Sequence, residues 1–370
     1  MRLLFISCLL LAHTVFLKPA TIPSGNVDQR SGDLYISLKS LNFFKNNEYS
    51  NPITEGYTLT GYFFQPELLF MPSDKTELRF GVHLLGYSGT NKYSAARPLF
   101  SVAWKMTERS VFTMGSLRGS DTHQMLDPHF NKERKYNQYS EDGFGFTYKG
   151  KRIFSDLWLS WENYIFRNDN EREIFTAGES FRYTSPLISG RFILEIPLQI
   201  QVRHLGGQIS NYPEPVETYL NSAAGASFSA LVNHEKNYRA GFEYLHFTGS
   251  ELSGRAMTGI KSGHGEWFIF SFNYGSAELE AGYWLGRNYF APNGNFIFGS
   301  VSDHRANTII SDRNLITLSA NISLLPESFV EFYIGFDGYY DTISERFDNS
   351  VTLHLKLDNL IRITSLKFHR

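Results

Sequence analysis

The sequence predicts an all-β fold, an up-and-down transmembrane β-barrel of about sixteen antiparallel strands, with fourteen to eighteen allowed. Three observations predict it. Apolar and polar residues alternate with a period of two in segment after segment from Gly32 onward, which marks strands with two unlike faces. The segments run ten to fourteen residues, suiting a tilted bilayer span of roughly nine to eleven residues better than the mean soluble strand of about five to six. Short and long connections alternate along the whole chain.

The strands carry the argument in chain order. In TELRFGVHLL, Leu78, Phe80, Val82 and Leu84 oppose Glu77, Arg79 and His83. In GRFILEIPLQIQVRH, the even-numbered residues from Phe192 to Val202 share an apolar face, while Arg191, Glu195, Gln199, Gln201 and Arg203 share the other. Tyr238, Ala240, Phe242 and Tyr244 oppose Arg239 and Glu243; Leu279, Ala281, Tyr283 and Leu285 oppose Glu278, Glu280 and Gly282. Ile316, Leu318, Ala320 and Ile322 oppose Thr317, Ser319 and Asn321, and Val351 to Leu357 repeats the split against Thr352, His354 and Lys356. Seven tight turns, such as Met71 to Lys75 and Gly275-Ser276, lie between eight mostly longer loops, such as Gly119 to Ser140 and Asn288 to Asp312. That order puts all turns at one end and all loops at the other, with both termini on the turn side.

Composition narrows the class. A mean hydropathy of −0.27 excludes a bundle of spanning helices, each needing roughly twenty apolar residues in a row. Inside hydrocarbon, only helices and closed barrels satisfy every backbone polar group, so a closed barrel remains. Lys+Arg total 35 against 37 Asp+Glu, leaving no basic excess for nucleic acid. A secreted propeller would show a repeated blade motif, and none is present.

Met1-Arg2 precedes an apolar run, Leu3 to Leu17, interrupted by Ser7, Cys8, His13 and Thr14. It reads as a secretory signal peptide over residues 1–25, cut between Ala20 and Asn26, which leaves 26–370 as one barrel domain. Cys8 is the single cysteine, so no disulfide framework or Cys-based metal site is expected.

With its leader, alternating strands and aromatic strand ends such as Tyr62-Phe63-Phe64 and Tyr339-Tyr340, the chain from Gly32 to Arg370 resembles a Gram-negative outer-membrane β-barrel of the porin-like class. The resemblance implies outer-membrane location and a pore, without a substrate. Members usually end on an aromatic residue; here Phe368 is third from the end. Apolar parity changes from odd (Val351 to Leu357) to even (Leu360, Leu366, Phe368), so a bulge or turn is expected at Asp358-Asn359. The length excludes a plugged barrel of roughly twenty-two strands.

The expected pore-lining residues are Arg79, His83, Lys105, Arg191, Glu195, Arg203, Arg239, Glu243, Glu278, Glu280, Glu331, Asp337 and Lys356, with Glu77, Asp156 and Glu162 beside them. A polar lumen of this width favours passive diffusion of small hydrophilic solutes, narrowed by an inward loop such as Gly119 to Ser140 or Asn288 to Asp312; alternatively the opposite charges pair and fill the interior. The mixed signs forbid a claim of ion selectivity. A channel of this kind is not an enzyme and needs no cofactor or metal; its partners are outer-membrane lipid and solutes, with a homo-oligomer or a protein held by the extracellular loops also allowed. The alternative of a surface lipid hydrolase rests on GSLRGSDTHQMLDPHFNKER, where Ser116, Ser120, Asp121, His123, Asp127 and His129 follow a strand and would act as nucleophile, base and orienting acid. Asp121, His123, Asp127 and His129 would equally suit a divalent metal. An adaptor would use the loop aromatics Tyr289, Phe290, Phe296 and Phe298, since exposed apolar patches mark interfaces.

Overall fold

The computed structural model describes residues 31–366 apart from 234–237, 255–256 and 326–328. The predicted leader and Phe368 lie outside the described residues. Sixteen strands follow in order: β1 (Asp33–Glu48), β2 (Thr58–Ser73), β3 (Thr76–Tyr87), β4 (Ala95–Lys105), β5 (Ser110–Ser116), β6 (Asp142–Lys149), β7 (Ile153–Asn163) and β8 (Glu173–Thr184) form the first half. The second half is β9 (Phe192–Gly206), β10 (Glu217–Asn233), β11 (Tyr238–Glu251), β12 (Ser262–Tyr274), β13 (Ala277–Arg287), β14 (Asp312–Leu324), β15 (Val330–Asp341) and β16 (Arg346–Ser365). Each pairs antiparallel with its neighbours, and β16 pairs with β1, so the barrel has no open edge.

Alternation becomes geometry directly, because successive side chains on a strand point to opposite faces. Leu198, Ile200, Leu279, Ile316 and Leu318 stand exposed on the outer wall, while Gln199, Gln201, Thr317 and Ser350 are buried on the inner one. The turn between β12 and β13 is as tight as predicted: Gly275 adopts φ +60° in that two-residue connection, a left-handed conformation that glycine takes at no steric cost.

The expected bulge at Asp358-Asn359 is absent. Lys39 pairs with Asp358 and Leu38 with Asn359 in unbroken register, and the slip comes later, between Leu34 and Tyr35, opposite Ile363. The parity changes for another reason: Leu360 packs on the lumen side against buried Tyr35, Leu69 and Met71 near the turn end. An apolar residue on the inner wall imitates a register shift.

The seam between first and last strands is fastened at the loop end. Asp348 of β16 accepts from the backbone N–H of Ser50 at 2.6 Å and the side chain of Asn51 at 2.9 Å, and Arg346 donates to the Ser50 carbonyl at 2.8 Å. The 288–311 loop joins them, with Asp303 accepting from the Thr54 hydroxyl at 2.7 Å and donating its backbone N–H to the Ile53 carbonyl at 2.9 Å.

Candidate functional site

The inner wall carries Arg79, His83, Glu195, Arg203, Arg239, Glu243, Glu278, Glu280, Glu331, Asp337 and Lys356 on the lumen-facing parity of their strands. Lys105 sits at the turn end of β4, 3.0 Å from Glu108 of the following turn. Arg191 departs from expectation: it belongs to the turn before β9, where its N–H closes onto the Ile188 carbonyl, because the strand starts one residue later. Many lumen charges pair. Arg79 bonds Glu77 at 2.6 Å and approaches Glu67 at 3.6 Å, and Arg203 meets Glu162 at 3.1 Å.

The loop end of the bore is filled. Residues 117–141 leave β5 and cross to the far wall: the Tyr136 ring packs 4.9 Å from Phe43 of β1, while Gln199 of β9 donates to the Gln124 carbonyl and accepts from the Leu126 N–H, each at 2.9 Å. β1 and β9 lie half a circumference apart, so this segment spans the lumen. The 288–311 loop folds in to meet it. Asn131 donates its N–H to the Asn293 carbonyl at 2.7 Å, Asn295 donates to Asp127 at 2.8 Å, and the Tyr289 hydroxyl donates to the Pro128 carbonyl at 3.1 Å.

Apolar packing holds this plug together. Tyr289, Ile297 and Phe298 join Trp284, Phe247, Leu245 and Leu315 of the wall in one buried cluster, with Trp284 5.2 Å from Phe298 and 5.3 Å from Tyr289. Gly265 leaves the space that the Trp284 ring occupies; a Cβ there would lie 2.2 Å from it. The aromatics expected to present a partner surface are therefore turned inward or packed edge-on against one another, as Phe290 is against Phe296 at 6.0 Å, because burying them removes their apolar area from water.

The same folding separates the predicted Ser/His cluster. Ser116 donates to Asp142 at 2.7 Å, and the Ser120 hydroxyl is buried without a protein partner. His123 is clamped between Asp156 of β7 and Glu141, each at 2.7 Å, and stacks 4.1 Å from Trp158. Burial alone would lower its pKa, but the Glu141 and Asp156 carboxylates raise it to about 9, so the ring is a structural cation. His129 is fully buried with no protein partner on either ring nitrogen, and burial lowers it to about 3. Asp127 is occupied by Asn295 and the Lys132 N–H. These contacts pull the candidate nucleophiles, bases and metal ligands in different directions.

A second polar constellation lies on the outside of the barrel. Even-numbered residues of β11 and β12 face outward: Phe242, Phe270 and Phe272 are exposed, and Tyr238 stacks on Tyr274 at 4.2 Å at the turn end. Ten residues farther along both strands, Thr248 faces His264; one pair lower, His246 faces Glu266, and Ser222 of β10 faces Thr248 from the other side. Ten residues at ~3.3 Å each, tilted about 45°, rise about 23 Å, close to the ~25 Å height of an apolar belt. The group therefore lies toward the loop end, about one belt height from the Tyr238–Tyr274 pair. His246 Nδ1 lies 2.6 Å from Glu266 Oε1, the Tyr244 hydroxyl donates to the other carboxylate oxygen, and the Ser222 and Thr248 hydroxyls are 2.7 Å apart. The His246 and His264 rings are 6.4 Å apart. Sequence reasoning missed these residues because three strands supply them and only pairing joins them; the available signal was the change from Phe242 and Tyr244 to His246 and Thr248 on one outward stripe.

A family model described as lipid A 3'-O-deacylase-type matches residues 26–366. The chain belongs to that family. This membership overturns the expectation of a non-enzymatic protein, because the family is named for an enzyme; strand pattern and composition record a barrel but no reaction. No curated protein matches. Among solved structures, this family member is similar to the outer-membrane protein OprD from Pseudomonas aeruginosa, with 11% identity, a TM-score of 0.52, and coverage of 96% of this chain and 100% of that one. It is also similar to OccK11 (OpdR) from Pseudomonas aeruginosa, with 10% identity, a TM-score of 0.51, and coverage of 91% and 99%. At such identity the fold is what is shared. Together with the closed sixteen-strand architecture, it makes this lipid A 3'-O-deacylase-type chain an outer-membrane β-barrel protein.

Proposed function

We propose that the protein is an outer-membrane hydrolase that removes ester-linked acyl chains from an acylated glycolipid of the lipid A type. The observation that carries the reading is the family match over 26–366. Two structural features support it. The plugged bore, crossed from β1 to β9, favours chemistry at the wall over flow through the centre. The outer wall also offers hydroxyl, imidazole and carboxylate groups close together near the loop end of β10, β11 and β12. Export through a leader over residues 1–25 would deliver the chain to that membrane. The test is to reconstitute purified protein with lipid A in vesicles and follow released fatty acid and the shortened glycolipid by mass spectrometry. Release above protein-free vesicles is expected; an unchanged glycolipid after prolonged incubation counts against the reading.

A second reading, passive diffusion of small hydrophilic solutes, is favoured by the charged inner wall, where a cavity of about 80 Å³ is lined by Lys45, Lys132, Glu280 and Asp337. Stepwise conductance in planar bilayers would support it, and a persistently silent membrane would oppose it.

A further inference from the structure

We infer that the chamber between the plug and the turn end of the barrel binds a small zwitterion with an apolar body, a free amino acid or a short peptide. The inference goes beyond both readings above, since it requires neither ester hydrolysis nor flow through the bore.

The chamber measures about 230 Å³, several times the ~30 Å³ share of one water in the liquid. Asp121 and Lys135 of the plug bound it on the loop side, and Glu331 and Tyr333, at the start of β15, place it toward the turn end. Between them, Lys39 of β1 and Lys356 and Asp358 of β16 line the seam.

The register would let the seam charges pair. Lys356 stands opposite Glu331 and Lys39 opposite Asp358, and facing side chains have their Cβ atoms about 5 Å apart. Each couple is instead drawn open: Lys39 leans to Glu67 of β2 at 4.0 Å, and Glu331 accepts from the Ser323 hydroxyl at 2.7 Å. Among the described residues, Lys356 and Asp358 of the wall and Lys135 and Asp121 of the plug are left without a side-chain ion pair or hydrogen bond. Burial lowers the Lys135 pKa to about 8 against the opposing charge of Asp121, so its ammonium lacks a full counter-charge. Two ammonium and two carboxylate groups thus face one space. A guest bearing one charge of each sign forms charge-assisted hydrogen bonds to both kinds. A guest with a single charge is attracted by one kind and repelled by the other.

The apolar body has its own surface. The Tyr139 ring stacks on Phe63 at 4.5 Å and the Tyr333 ring on His354 at 5.1 Å, and all four border the chamber. Flat rings beside a few convergent polar groups are the usual lining of a small-molecule site. Because the unpaired charges come from the plug and from the seam, a bound guest ties residues 117–141 to β16 and stabilises the docked plug.

The test is isothermal titration of the full-length protein in detergent with phenylalanine, phenylalanyl-glycine, phenylacetate and phenethylamine. At least one of the two zwitterions should bind, and the stronger of them tells amino acid from peptide. Phenylacetate and phenethylamine, which keep the ring and one charge each, should bind at least about tenfold more weakly. Lys356→Gln and Asp358→Asn, each first shown to be folded by heat-dependent gel migration, should weaken the zwitterion at least about tenfold. Saturating zwitterion should also slow protease cleavage of residues 117–141. No binding of either zwitterion at millimolar concentration would overturn the assignment. So would a single-charge analogue that binds as tightly, full binding by both variants, or cleavage unchanged at saturation.

Discussion

His123 and Glu141 are locked at 2.7 Å in a site where both side chains are less than 5% exposed, and the other ring nitrogen of His123, 2.7 Å from Asp156 of β7, fastens the plug to the inner wall. The His123 pKa is raised to about 9 from about 6.5 in an undocked loop. A raised value contributes stability that is fully present below pH ~6.5 and is lost as pH climbs to about 9. His129 has the opposite sign: lowered to about 3, it contributes above pH ~6.5 and loses that contribution as pH falls. Protection of residues 117–141 from protease should therefore peak near pH ~6.5, and His123→Gln should remove the alkaline decline. A profile flat from pH 5 to pH 9 would contradict both assignments.

Gly265 is the space beside Trp284, the centre of the plug cluster. Gly265→Ala should displace the ring and destabilise the packed state by about 1–3 kcal/mol. Tryptophan fluorescence through a urea titration in liposomes measures it. An unaltered midpoint would mean that the indole has room elsewhere.

The segment from Asp121 to Gln138 obstructs the bore between Phe43 and Gln199. Replacing it with a short Gly/Ser linker should convert a nearly silent protein into one with clear conductance steps in planar bilayers. Native steps as large as those of the shortened variant would show that the crossing leaves a passage.

Leu279 points to lipid and neighbouring Glu278 to the lumen. Leu279→Arg should destabilise the barrel by about 2–4 kcal/mol if it lies near the bilayer midplane, whereas Glu278→Gln should cost less than about 1 kcal/mol. Denaturant unfolding from liposomes compares them; equal losses would reverse the inside-out assignment of β13.

The barrel was legible in the sequence because a period of two needs no knowledge of distant contacts: Phe192 to Val202 and Val351 to Leu357 declare their faces on their own. Loops carry no such period. That residues 117–141 enter the lumen depends on Gln199, Phe43 and Asn293, which are remote in sequence. The His123 neighbourhood read as catalytic because Ser, Asp and His were close along the chain, while the carboxylates that bind it come from Glu141 and Asp156. The outer-wall group was hidden for the converse reason, since Ser222, Thr248 and Glu266 belong to three strands.

The fastening of β1 to β16 through Asp348, with Asp303 gripping Thr54 beside it, has a consequence for the order of biogenesis. The clasp on the β1–β2 loop is supplied by segments that follow it by 249 to 298 residues. The free edge of β1 therefore stays unpaired until β16 docks, and sealing and internal filling become late, mutually dependent steps.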